Sequence, residues 1–243
     1  MKHTQAVFSV KFEPVKAIRD YGKTIECILK DLYMPLNVLP IPESVFYDVP
    51  RMVAESKFKH SQISLSQLSI DIVANFDDEF SSNYEKIATY IKERALLAKE
   101  VLAAVGLKDY LYLGLLDNVE LDLKRQDPVS FMKSFLSEEQ REKKVHEVVL
   151  RTSSLERKKF FVNKQYSTFE RYNTNFPSQA LASFKEESEK VSGVVLSLDI
   201  NNRYEFLYHE TKQPLSRFEE EIDEILNILK SELQKEVSDD ERK

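Results

Sequence analysis

Glycine is scarce in this chain. Gly22, Gly106, Gly114 and Gly193 are the four it has in 243 residues, and no two lie closer than eight positions. A phosphate-cradling loop needs glycines clustered between a strand and a helix, because only glycine lets the backbone approach a phosphate at positive φ. The spacing excludes the P-loop and the dinucleotide fingerprint, and the G-x-S-x-G elbow of α/β-hydrolases is absent too. Cysteine is scarcer still: Cys27 is the only one, so neither a disulfide within the chain nor a cysteine-built zinc site is available. The histidines, His3, His60, His146 and His209, are scattered and form no H-x₃-H or H-E-x-x-H pair. No apolar run approaches the roughly 20 residues of a membrane span. The opening MKHTQAVFSVKF lacks the apolar core of a signal peptide. These absences favour a cytoplasmic, non-membrane protein that needs no cofactor.

The residues that are present give a globular balance, 42% apolar and 31% charged, in a chain long enough for a real hydrophobic core. The net charge of −6 disfavours polyanion binding by the molecule as a whole, though not by a local patch. Phe8, Val10 and Phe12 alternate with Ser9 and Lys11, which predicts a strand over Gln5–Glu13,. A helix is expected over Val15–Tyr33, then an extended connection carrying Pro35, Pro40, Pro42 and Pro50,. Between Ser61 and Ala74 the apolar residues switch from odd positions (Ile63, Leu65) to even ones (Leu68, Ile70, Ile72). A turn at Ser66-Gln67 would keep both sets on one sheet face, so a hairpin is predicted.

Asp77, Asp78 and Ser82 are candidate caps for a long helix that ends at Gly106,. Leu111–Leu123 reads as a strand interrupted near Asp117-Asn118, and Asp127-Pro128 as the start of a short helix,. Further strands are expected at Val145–Arg151, Lys158–Tyr166 and Val194–Ile200, with Tyr204, Phe206 and Tyr208 continuing the last alternation. A final helix covers about Leu215–Val237,. The fold class that follows is α+β: two sheet-plus-helix halves, mostly antiparallel, with a long helix packed on each. The division falls near residue 137, giving 1–137 and 138–243, with a single domain as the alternative.

The strand Gln5–Phe12, the proline-rich stretch, the Ile63–Ile72 hairpin and the helix opening near Tyr84 form one recognisable order. With Leu198-Asp199-Ile200-Asn201 and the long C-terminal helix, that order resembles a sporadically distributed bacterial family of uncharacterised proteins. The resemblance implies an α+β bacterial cytosolic protein, often of the accessory genome, with no assigned catalytic residue.

The segment Arg157–Tyr172 is the densest in chemistry. It carries Arg157, Lys158, Lys159, Lys164 and Arg171 interleaved with Phe160, Phe161, Tyr166, Phe169 and Tyr172. Cations neutralise phosphates and aromatic faces stack on unpaired bases. Arg157, Lys158, Lys159, Phe161, Lys164, Tyr166 and Arg171 are therefore the candidate nucleic-acid-binding residues. The plainer reading is an amphipathic strand pair with lysines in water. A partner with an acidic surface is a further option, because Arg141–Arg171 is net positive,.

Asp71, Asp117, Asp122 and Asp199 could converge on a divalent ion for hydrolysis, or could serve turns and surfaces. Cys27 is expected to be a buried, inert thiol. The apolar face of the last helix is wide enough to pack on its own sheet and also to bury a partner helix or second subunit. The reading that absorbs most of this is a non-catalytic binding and assembly protein. It would have a protein partner or self-associate, as an accessory subunit of a bacterial multi-protein system. Nucleic-acid binding and metal-dependent hydrolysis are the alternatives. No catalytic residue and no metal ligand set is assigned.

Overall fold

The computed structural model describes residues 1–123, 126–143, 145, 148–173 and 189–240. The strands are β1 (Lys2–Lys11), β2 (Asn37–Val38), β3 (Met52–Glu55), β4 (Ser61–Leu65), β5 (Ser69–Asn75), β6 (Asp109–Tyr110), β7 (Tyr112–Leu121), β8 (Val149–Glu156), β9 (Phe160–Asn173), β10 (Glu189–Asn201) and β11 (Gln213–Pro214). The α-helices are α1 (Gly22–Leu29), α2 (Tyr84–Ala104), α3 (Pro128–Lys133), α4 (Glu138–Arg141), α5 (Arg203–His209) and α6 (Phe218–Asp240). Among the described residues nine strands form one sheet in the order β2-β3-β4-β5-β1-β7-β10-β9-β8. Each neighbouring pair is antiparallel. The α+β class is thus the observed one. The sheet runs unbroken from strands of the first half into strands of the second, because β7 pairs with β10.

Side chains alternate across a strand, so the register sorts the whole sheet into two faces. Phe8 lies between Ile72 and Leu115, and Leu115 lies opposite Ile200. These residues and their parity mates Ala6, Val10, Ile70, Leu113, Leu196 and Leu198 are all buried. The long helices cover this face: α2 packs on β1, β5 and α6, and α6 packs on β10. The wide apolar face of α6 is consumed within the chain, since Phe218, Ile222, Ile225, Leu226, Ile228, Leu229 and Leu233 are all buried. Tyr84 ties the two long helices together by donating from its hydroxyl to the Leu226 carbonyl at 2.6 Å.

Several local expectations are corrected. The cap of α2 is Asn83, whose side chain accepts from the Lys86 N–H; Asp77 instead closes its own turn by accepting from the N–H groups of Glu79 and Phe80. The segment expected as one helix from Val15 is a 3₁₀ turn (Ile18–Tyr21) followed by the eight-residue α1, and Cys27 within it is exposed. The proline-rich connection contains β2, and β3 follows Pro50; neither was expected. β7 runs through Asp117 without a break. The alternating Tyr204, Phe206 and Tyr208 belong to helix α5 rather than to a strand. The i,i+4 pair Tyr204 and Tyr208 meets there at 4.7 Å between ring centroids,. In the second half β8 starts later than expected, while β9 and β10 are longer. His146 lies outside the described residues.

Two glycines are required by geometry. Gly106 follows α2 at φ +84°, a region that L side chains resist,. Gly114 on β7 sits where an added Cβ would fall 2.8 Å from the Asn201 Cβ and 3.3 Å from the Ile200 carbonyl oxygen. Both neighbours belong to paired strand β10, so neither can swing away. Gly114→Ala is therefore expected to lower stability by about 1–3 kcal/mol through overpacking, read as a lower urea midpoint with an unchanged m-value.

Candidate functional site

The basic-aromatic segment forms the β8–β9 turn and strand β9, and the pleat splits it. Phe160, Val162 and Tyr166 are buried on the helix-covered face, and the register places Lys164, opposite Leu198, on that same face. Tyr166 stacks on Phe135 at 5.7 Å. Phe161 and Asn163 turn to the other face, where Phe161 meets Tyr204 at 5.7 Å and the Arg203 guanidinium at 5.4 Å.

Most of the cations meet carboxylates of the chain itself. Lys164 contacts Glu232 at 2.6 Å and Glu236 at 3.0 Å. Lys159 pairs with Glu221 and lies 3.4 Å from Glu224. Arg157 reaches Glu224 at 3.3 Å. Arg171 pairs with Glu120 and covers the Phe169 ring at 4.4 Å. Lys158 stands exposed in the turn at φ 56°. Four of the five cations thus hold the hairpin against α6 or tie β9 to β7.

The acidic candidates do not converge. Asp117 faces the helices, whereas Asp71 and Asp199 face away from them, as their register partners require. Asp71 on β5 and Asp199 on β10 are three strand spacings apart, about 14 Å. Asp122 lies just past the end of β7 and is exposed. Among the described residues no group of three or more His, Cys, Asp or Glu side chains is placed to hold a metal ion.

Asp117 does have one partner of its own. Its Oδ2 lies 2.7 Å from the His3 Nδ1, with both side chains buried. His3, Tyr84, Glu85, Lys230 and Gln234 line an open cleft of about 290 Å³. Burial pushes the Tyr84 hydroxyl well above its ordinary range, and the Asp117 charge adds to the effect. That hydroxyl is already committed to the Leu226 carbonyl. Ser82 lines the same cleft, and the His3–Asp117 contact pins the start of β1 to β7. An acid at a core-parity position of an apolar strand was the signal that the sequence offered for this pair.

The surface that sequence reasoning missed is the sheet face opposite the helices. Many of its residues are small and polar, and these are ordered by one another. In one row Gln5 donates to Asn75 at 2.9 Å and Ser197 donates to Asn118 at 2.7 Å. Nearer the other strand ends Ser9 and Ser69 donate to Asp71 at 2.6 and 2.8 Å. Asn163 and Asn201 both donate to Asp199 at 3.0 Å, and Ser153 donates to Asn163 at 2.7 Å. Between these rows Val73, Val7 and Leu116 lie directly opposite one another across β5, β1 and β7, all half-buried. Helix α5 closes one end, placing Phe206 against Tyr112 at 6.2 Å. Leu207 and Tyr208 project from it, 55% and 64% exposed. Charge on the face is balanced, as Lys11 sits 3.5 Å from Asp71. An apolar strip between pre-ordered polar rows, with little net charge, suits a folded protein surface better than a polyanion.

The ion pairs of β9 give a pH test. Burial pushes the Glu232 carboxyl up, but the hydrogen bonds from Lys164 and Lys235 outweigh it and hold the group below its ordinary value of 4.5. Burial pulls Lys164 down, and Glu232 and Glu236 outweigh that and raise it. A depressed carboxyl stabilises the fold above its unfolded value, and that stabilisation is lost as pH falls through the folded one. Lys164→Met is expected to cost about 2 kcal/mol near pH 7. The gap to the unmodified chain should close as pH drops below about 4, read from urea midpoints across the acid range.

No protein-family model matches this chain, and a comparison with curated proteins finds no match either.

Proposed function

We propose that this chain is a non-catalytic binding and assembly protein, an accessory subunit of a bacterial multi-protein system that works in the cytoplasm. Its working surface is the sheet face opposite α2 and α6. The observation that carries this reading is the half-buried strip Val73–Val7–Leu116 flanked by polar rows already bonded to each other. Such a face loses little side-chain entropy on docking, because its polar groups are held before the partner arrives. The short α5 packs on β7 and β9 at one end of it.

Two further observations favour a protein partner. Four of the five cations of the basic-aromatic segment are matched by carboxylates within the chain, which leaves few to release counterions from a nucleic acid. No helix among the described residues is long and apolar enough to cross a membrane.

The test is co-purification of the tagged chain from its host, followed by affinity measurement with the recovered partner. Val7→Lys and Ser197→Arg place charge on the open face; Glu100→Lys places it on the exposed side of α2. The face variants are expected to weaken the complex at least about tenfold, roughly 1.4 kcal/mol, while Glu100→Lys leaves it intact. A partner held equally by all three variants removes the open face from the reading. Turnover of a small molecule that depends on one side chain removes the non-catalytic assignment.

A further inference from the structure

The two edges of the large sheet are built differently. The β2 edge is two residues long and flanked by Pro35 and Pro40, which is the usual protection against unwanted strand pairing. The β8 edge is eight residues long and reads VLRTSSLE. It has no proline, glycine or lysine, and Arg151 is its one interior charge. Its pairing with β9 is continuous over all eight residues, without a bulge. The edge is also rigidly presented: Arg157 and Lys158 occupy left-handed positions in the hairpin turn, closed by the Lys159 N–H donating to the Glu156 carbonyl at 3.0 Å. Among the described residues β8 is paired on one side only, and Val149 and Leu155 on it are 53% and 40% exposed.

We propose that β8 pairs antiparallel with β8 of a second copy of this chain, across a twofold axis at Thr152. An antiparallel edge is its own complement, because a twofold axis normal to the sheet brings each outward N–H to an outward carbonyl. That axis preserves the faces of the sheet, so residues opposite each other must share parity. Centring on Thr152 sets Val149 against Leu155 of the second copy, twice per dimer, and covers both exposed apolar side chains. It also sets Arg151 against Ser153 and Leu150 against Ser154. Centring on Ser153 instead would put Arg151 against Leu155 and Leu150 against Glu156. One step further in either direction puts Arg151 against Arg151 or against Arg157, like charges face to face. The Thr152 register is the one that matches apolar to apolar and opposes no like charges.

The dimer so formed carries one continuous sheet with both open faces on the same side. It uses a separate surface from the open face, so it stands whether or not that face binds a partner.

Light scattering after size exclusion, over a concentration series, reads the dimer directly. Leu155→Glu or Val149→Lys alone is expected to raise the dissociation constant at least about tenfold. The double variant is expected to recover most of that loss, because each introduced lysine faces an introduced glutamate across the axis. In a Cys27→Ser background, Thr152→Cys is expected to form an intermolecular disulfide on mild oxidation, since opposed Cα atoms lie within bridging range. Ser154→Cys is not expected to do so, because its counterpart is displaced by four residues. A chain that stays monomeric at its highest soluble concentration overturns the proposal. So does a dimer indifferent to both single substitutions, or one that crosslinks through Ser153→Cys and not through Thr152→Cys.

Discussion

Glu221 is fully buried, and three separate parts of the chain meet there. Lys159 comes from the β8–β9 turn, Arg217 from the turn before α6, and the Asn202 amide from the β10–α5 junction at 3.1 Å. Asn202 is itself bound to β7 in both directions: its side chain accepts from the Leu113 N–H at 2.8 Å and its own N–H donates to the Leu113 carbonyl at 3.1 Å. A carboxylate taken out of water is tolerable only when its oxygens are met in this way. One buried side chain therefore links the start of α6, the second hairpin and the junction where β10 gives way to α5. The burial of Ile222, Ile225 and Leu229 follows from that starting point, since they are the next residues on the same helix face,.

The same clamp accounts for where most cations of the basic-aromatic segment sit. Lys159 and Lys164 are five residues apart on and beside one strand. Glu221 and Glu224, then Glu232 and Glu236, sit at helical spacings on α6, and the two sets meet in matching pairs. Read singly, each half looks like a surface: a cationic stretch here, an acidic helix there. The pairing spans more than sixty positions, and no local pattern encodes it.

Features with local causes were legible in the sequence. The alternation of β1, the phase flip at Ser66-Gln67, the Asp127 cap with Pro128 behind it and the stripe of α2 each depend on neighbours within a few residues. Features settled by distant partners were not. Asp117 looked like a strand break because its partner, His3, is 114 positions away. Tyr204, Phe206 and Tyr208 fit alternation and helical spacing equally well. The choice of helix follows from where Asn202 is held, with Asn201 packed against Gly114. The open face was invisible for a related reason: serine, asparagine and glutamine at alternate positions read as solvent-facing filler, and only the register shows that they stand in line across the strands.

The register also explains how an acidic chain comes to present a nearly neutral platform. The carboxylate excess is spent on and around the helices, where α6 alone opens with Glu219, Glu220 and Glu221. The sheet face opposite receives the residues that neither a hydrophobic core nor a helix surface needs, and they bond to each other across strands. A pre-ordered face beside an edge that is paired on one side only among the described residues has two different kinds of unmet valence. The face offers side chains with a shared strip of half-buried apolar surface, and the edge offers main-chain donors and acceptors. A partner that satisfies one leaves the other unchanged. Because a twofold axis normal to the sheet keeps the faces aligned, pairing at the edge widens the platform without covering any of it.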